Sequence, residues 1–173
     1  MPSAARADLP RQEGGPTIRD AVTAADVEAV RRLVASTGYF RPDEIAVAVE
    51  LVEERLAKGL DASGYHFLFA EAAGRTIGYA CFGPIPCTLT SWDLYWIAVE
   101  RGGQRLGVGR ALMTQAEAAV RASGGRNLYI ETSARAEYDA TRGFYLACGY
   151  RLEHVFADFY APGDGKAVYV KSL

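Results

Sequence analysis

The chain has 173 residues, half of them hydrophobic and 23% charged, with a formal net charge of −2. This is an ordinary globular balance with enough apolar mass for a real core, and it lacks the basic excess that marks nucleic-acid binders. No apolar run approaches the roughly 18 residues a membrane helix needs, and neither the three irregularly spaced cysteines (Cys81, Cys87, Cys148) nor the two isolated histidines (His66, His154) make a disulfide framework or a metal site.

Residues 1–16 are rich in Pro, Gly, Ala and charge and lack a secretory apolar segment. They read as a flexible leader, with a cytoplasmic location as the default. Thr17–Ala21 reads as a short strand. Thr23 then caps a helix, with Asp26 in capping-box position and Val27, Val30, Leu33 and Val34 as its apolar stripe; Gly38 is its stop. Pro42, Asp43 and Glu44 open a second helix. Ile45, Val49, Val52 and Leu56 form its face and Gly59 its end.

His66–Glu71 and Thr76–Phe82 are strand-like and joined by a hairpin turn, and Trp92–Val99 is a third strand. A Gly-rich stretch leads into a helix over Val108–Ser123. Asn127–Thr132 is another strand, and a helix covers about Glu137–Cys148, with Gly149 as its cap. Arg151–Ala157 and Ala167–Val170 are the last strands, linked by the turn Pro162–Gly165. The order β-αα-βββ-α-β-α-ββ implies an α/β fold over residues 17–173, one mixed twisted sheet of about seven strands flanked by four helices.

The informative stretch runs from Trp92 to Val120. A strand enters the loop Gly102-Gly103-Gln104-Arg105-Leu106-Gly107 and a helix leaves it. A helix N-terminus presents unpaired N–H groups and the positive end of its dipole. Gly107 and Gly109 let backbone approach closely, and Arg105 and Arg110 add positive charge, so a phosphate-bearing ligand is expected here. A Walker A loop is excluded because no Lys-Ser/Thr follows, and the dinucleotide fingerprint is absent as well.

What stands there is Gln104-x-x-Gly107-x-Gly109, five residues past Val99. It resembles motif A of the GNAT N-acetyltransferase superfamily. The element order and the later Phe144-Tyr145-Leu146-Ala147-Cys148-Gly149-Tyr150 are similar to that family as well. The resemblance implies acetyl-CoA as acyl donor. It implies that backbone groups of Ile97 and Val99 pair with the pantetheine arm, and that amides of Gln104, Arg105, Leu106, Gly107, Val108, Gly109 and Arg110 hold the pyrophosphate. It also implies Tyr145 as general acid to the CoA sulfur; the alternative is a packing residue with its hydroxyl on the cofactor. Where the family often carries a cofactor-contacting Asn, seven residues before that tyrosine, this chain has Tyr138.

An acceptor amine must be neutral to attack a thioester, so a base is useful. Asp93 is the candidate, expected by period-two alternation to share a strand face with Tyr95, Ile97 and Val99. It reads alternatively as a site for a substrate ammonium or for a neighbouring arginine. Glu131 is the second candidate base, or else a partner of Arg126 or Arg135. Tyr39, Phe40, Trp92, Trp96, Phe159 and Tyr160 are candidate acceptor-pocket aromatics. The implied function is acetyl transfer to an unidentified amine of a small molecule, amino acid or peptide; a non-catalytic acyl-CoA sensor is the other reading. No nucleic-acid or membrane partner is expected, and a homodimer is possible.

Overall fold

The computed structural model describes residues 15–173, so the leader expected over 1–16 lies outside the described residues except for its last two. The chain runs β1 (Thr17–Arg19), α1 (Ala25–Thr37), α2 (Pro42–Ser63), β2 (His66–Ala72), β3 (Arg75–Pro84), β4 (Ser91–Val99), α3 (Val108–Ala122), β5 (Asn127–Ser133), α4 (Asp139–Ala147), β6 (Arg151–Ala161) and β7 (Asp164–Ser172). Short 3-10 turns at Gln104–Leu106 and Ala136–Tyr138 precede α3 and α4. The strands form one mixed sheet in the order β1-β2-β3-β4-β5-β7-β6, in which β4 and β5 are the parallel neighbours. This is the α/β architecture that the sequence pattern implies.

Each face of the sheet carries its own apolar layer. On one face Leu68, Ala80, Phe82, Leu94, Leu128, Ile130 and Tyr169 meet Val108, Leu112, Met113, Ala116 and Val120 of α3. On the other, Phe67, Phe69, Tyr79, Cys81 and Ala98 meet Val30, Leu33 and Val34 of α1 and Ala48, Val49 and Val52 of α2. Burying each large aliphatic side chain contributes about 1.5–3 kcal/mol, so these stripes rather than helix propensity fix where the helices lie.

Several boundaries differ from the sequence reading, each for a physical reason. Gly59 breaks α2 as expected, with φ 81° and ψ 178°, but the chain resumes helix to Ser63 and stops at Gly64 (φ 70°). At the start of α1, Asp26 returns its carboxylate to the Thr23 amide at 2.7 Å, while the Thr23 hydroxyl donates to that carboxylate instead of capping an amide. Asp26 is buried and is also gripped by Arg19 at 2.5 and 3.0 Å, so the expected capping box is absorbed into an ion pair that ties α1 to β1. The β6–β7 turn needs only Pro162 and Gly163, because Ala161 already pairs with Asp164; both strands are correspondingly longer than expected.

Gly125, between α3 and β5, fits where no side chain can. A Cβ there would lie 2.4 Å from Val120 Cγ1 and 2.6 Å from the Trp92 indole. Gly125→Ala is expected to cost about 2 kcal/mol, lowering the thermal denaturation midpoint by roughly 4 to 8 °C.

Candidate active site

Two strands part to make the site. β4 and β5 pair only from Ser91–Asn127 to Leu94–Ile130. Beyond Leu94 β4 stays bonded to β3, and Glu100 N–H donates to Ile77 O at 2.9 Å. That bond makes Gly78–Val99 a non-hydrogen-bonded pair, so the amide and carbonyl of Val99, and by alternation those of Ile97, point away from β3 into the gap. In agreement, the Gln104 side-chain amide reaches Val99 O at 3.5 Å from the gap side.

At the open end of the gap the chain turns through Gln104–Leu106, and Gly107 takes φ 72°, the left-handed conformation that glycine adopts without strain. The amides of Val108, Gly109 and Arg110 form the first turn of α3, where no i−4 carbonyl exists and no side chain caps them. A Cβ on Gly107 would meet nothing within 4 Å, whereas one on Gly109 would press on Phe144 Cζ at 3.2 Å. The result is a donor-rich turn with open space before it.

Together these elements enclose a cleft of about 420 Å³ lined by Tyr39, Ile97, Val99, Gln104, Gly107, Gly109, Arg110, Ala140, Thr141, Phe144 and Tyr145. Tyr145 is 5% exposed, yet it borders the cleft. Burial is the largest cause raising its phenol pKa above the ordinary value, so it is a protonated donor at neutral pH. The helix that carries it is held at its C-terminus by two cations. Arg110 donates to Ala147 O at 3.1 Å, and Lys171, itself paired with buried Glu117 at 2.8 Å, donates to Cys148 O at 2.9 Å.

The second candidate, Asp93, lies elsewhere than the alternation implies. Cys81 pairs with Trp96 but Phe82 with Leu94, so Tyr95 is an extra residue, a β-bulge. The bulge inverts the faces. Trp92, Leu94, Ile97 and Val99 pack toward α3, and Trp96 and Ala98 toward α1 and α2. Asp93 therefore shares the α1/α2 face with Tyr95 and Trp96, not with Ile97 and Val99. Tyr95 lies across Gly83, the residue paired with Asp93; a Cβ at Gly83 would stand 3.1 Å from the Tyr95 ring.

Asp93 is half-buried and, among the described residues, makes no hydrogen bond or ion pair. Burial first, then the neighbouring Glu131 charge, raises its pKa to about 6, partly opposed by Lys166. Tyr95 is pushed up to about 12, by burial first and by Asp93 next. Glu131 pairs with Lys166 at 3.0 Å, not with Arg126 or Arg135, because β7 lies between β5 and β6 and brings Lys166 beside it.

The other predicted residues divide clearly. Val108 has its side chain fully buried in the core, Leu106 is 65% exposed at the turn, and Arg105 contributes backbone there, its side chain lying outside what is described. Tyr138 packs against Tyr39 with ring centroids 5.4 Å apart and planes tilted by 42°, and its hydroxyl donates to Tyr39 O at 3.4 Å, beside the cleft rather than among its lining residues. Trp92 is buried against His66 and Phe82, a core residue and not a pocket aromatic. Thr141 and Phe144 line the cleft unforeseen, although their places one turn before and next to Tyr145 on α4 carried the signal. Among the described residues no three His, Cys, Asp or Glu side chains converge as a metal ligand set, and no helix is long and apolar enough to cross a membrane.

Residues 63–152 match the family model of the acetyltransferase (GNAT) domain. A crystal structure from Desulfovibrio desulfuricans, assigned to the GNAT acetyltransferases, is 46% identical with a TM-score of 0.89 over 91% of this chain and 99% of its own. The chain belongs to the GNAT acetyltransferase family. More distant GNAT folds superpose nearly as widely. An aminoglycoside 6'-N-acetyltransferase complexed with coenzyme A is 16% identical (TM-score 0.71, 90% of this chain and 96% of that one). The ribosomal-protein-S18-alanine N-acetyltransferase from Escherichia coli is 20% identical (TM-score 0.70, 91% and 93%). At such identities they share the GNAT fold alone. No curated protein matches this GNAT chain by sequence.

A carboxyl whose folded pKa is about 6, above its unfolded value near 4, favours folding at low pH and burdens the fold as pH rises through 6. Asp93→Asn is therefore expected to stabilise the protein at pH 7.5 by roughly 1 kcal/mol, after discounting for its half-exposure, and by almost nothing at about pH 3, below the unfolded value. Thermal denaturation at the two pH values checks this.

Proposed function

We propose that this GNAT protein is a cytoplasmic N-acetyltransferase that carries acetyl from acetyl-CoA to a primary amine by direct attack on the thioester. The carrying observation is the cleft, in which unpaired first-turn amides of α3 and the gap-facing backbone of Ile97 and Val99 line one continuous channel. Amides and a helix dipole suit a diphosphate, and an unpaired strand edge suits the amide-bearing pantetheine arm. The side chain of Arg110 is drawn toward Ala147 O, so its proposed share in diphosphate binding rests on its amide. Free Cys81, Cys87 and Cys148 suit a reducing compartment.

The chemistry asks for a base and an acid. Asp93, ionised above pH 6, takes a proton from the incoming ammonium, directly or through water, and leaves the nitrogen lone pair free to attack. As the C–S bond breaks, the Tyr145 hydroxyl gives its proton to the departing sulfur, and the proton that the newly acylated nitrogen sheds restores the phenol through solvent. A thiol has a pKa of about 8.5, so this help is modest and the step survives without it. Asp93 lies on the face of the sheet opposite Tyr145, one residue before the last paired residue of β4 and β5, which keeps the base off the leaving group.

Calorimetry with acetyl-CoA tests the donor site: binding is expected for the native chain and its loss for Gly109→Leu, whose side chain would fill the space between the turn and Phe144. Binding undiminished in a folded Gly109→Leu protein would remove the basis of the proposal. Tyr145→Phe is expected to lower kcat by about ten- to a hundredfold with little change in the KM for acetyl-CoA. Since Asp93 must be ionised to act, kcat/KM should rise with pH through about 6, and this inflection should vanish in Asp93→Asn.

A further inference from the structure

On the face of the sheet away from α3, the apolar layer of α1 and α2 covers β2, β3 and β4 and includes no residue of β5, β6 or β7. The other half of this face carries no helix layer. Asp93, Glu131 and Lys166 lie across it on β4, β5 and β7. Phe156, Phe159 and Tyr160 of the edge strand β6 form an aromatic wall at its outer side, each about half exposed.

The charges on and around this open face are unevenly committed. Lys166 is 3.0 Å from Glu131 and stands over the Phe159 ring at 3.9 Å. Arg135 is 3.2 Å from Asp164 and 3.6 Å from Glu137. Arg41 is 3.0 Å from Asp43 and 3.5 Å from Glu44. His154 sits at the outer end with its ring against Phe156 at 4.5 Å. Among the described residues, each of these Lys and Arg side chains has a carboxylate partner, whereas Asp93 has no ion-pair partner within 4 Å. A ligand ammonium meets a carboxylate free to receive it. A ligand carboxylate one carbon away finds no uncommitted lysine or arginine and is repelled by Asp93 and Glu131.

We infer that the acceptor is a primary amine whose α-carbon bears no free carboxylate, an arylalkylamine or an α-amino amide and not a free amino acid. The aromatic wall supplies the surface for its apolar body, and the seat of Lys166 between Glu131 and Phe159 displays the carboxylate-and-ring arrangement that holds an ammonium here. This deepens the acetyltransferase reading and rests on it.

The test uses the full chain, acetyl-CoA and three acceptors with one side chain: phenethylamine, phenylalaninamide and phenylalanine. Release of CoA thiol gives turnover, and calorimetry in the presence of CoA gives acceptor binding. Phenethylamine and phenylalaninamide are expected to exceed phenylalanine by at least about tenfold in kcat/KM. Phenethylamine is ionised at neutral pH to much the same extent as phenylalanine, which removes amine basicity as the explanation. Relative preference between the two favoured acceptors separates a small-amine source from a peptide-like one. In Asp93→Asn all rates fall, and the ratio of amide to acid should shrink toward one, a change that a merely structural role would not produce. Equal or better use of phenylalanine overturns the inference, as does failure of all three to bind or react while acetyl-CoA still binds. Failure of acetyl-CoA itself to bind would instead overturn the donor site.

Discussion

One inserted residue governs the geometry of this protein. Tyr95 has no partner on β3, and its presence inverts the side-chain alternation of β4 halfway along. Before it, Trp92 and Leu94 face α3; after it, Ile97 and Val99 do, although their parity in sequence is opposite. The strand bends at that place and leaves β5 after Leu94, so a stretch of β4 keeps backbone donors and acceptors with no partner in the sheet. An unpaired buried backbone group is costly, and a fold that keeps several of them beside a cleft has arranged for something else to pair with them. The bulge sits against Gly83, where a Cβ would meet Gly64 O at 2.5 Å and the Tyr95 ring at 3.1 Å.

The proposed acid and base are tuned by contrasting surroundings on the two sides of this opening. Tyr145 lies in the α3-side core, where burial keeps the phenol protonated. Asp93 lies on the half-open side, where partial burial and a neighbouring anion hold its proton affinity close to neutrality. Environments that push two titratable groups apart are the usual basis for dividing acid and base roles within one site. Arg110 and Lys171 complete the arrangement by fixing the last carbonyls of the helix that carries Tyr145.

Much of this was legible in the sequence. Hydrophobic periodicity and the glycines at 38 and 149 mark the element order, and Gln104 to Arg110 mark the glycine-rich turn before α3; the end of α2 reads as Gly59 in the sequence and lies at Gly64. The bulge was not legible. Trp92–Val99 is dominated by aromatic and β-branched residues, no glycine or proline marks an interruption, and period-two counting continues through Tyr95 onto the wrong face. The partner of Glu131 was equally hidden, because Lys166 becomes its neighbour only through the antiparallel insertion of β7 between β5 and β6. Local signals carried the turn and α4; pairings set by long-range topology did not show in the chain.

The cleft and the open half of the sheet are built from different surfaces of the same strands. Side chains at 156, 159 and 160 can change shape and polarity without disturbing the turn at Gly107 or the packing of α3. On the proposed reading, one acceptor is exchangeable for another by altering a few exposed positions on an edge strand, with the turn before α3 left as it is.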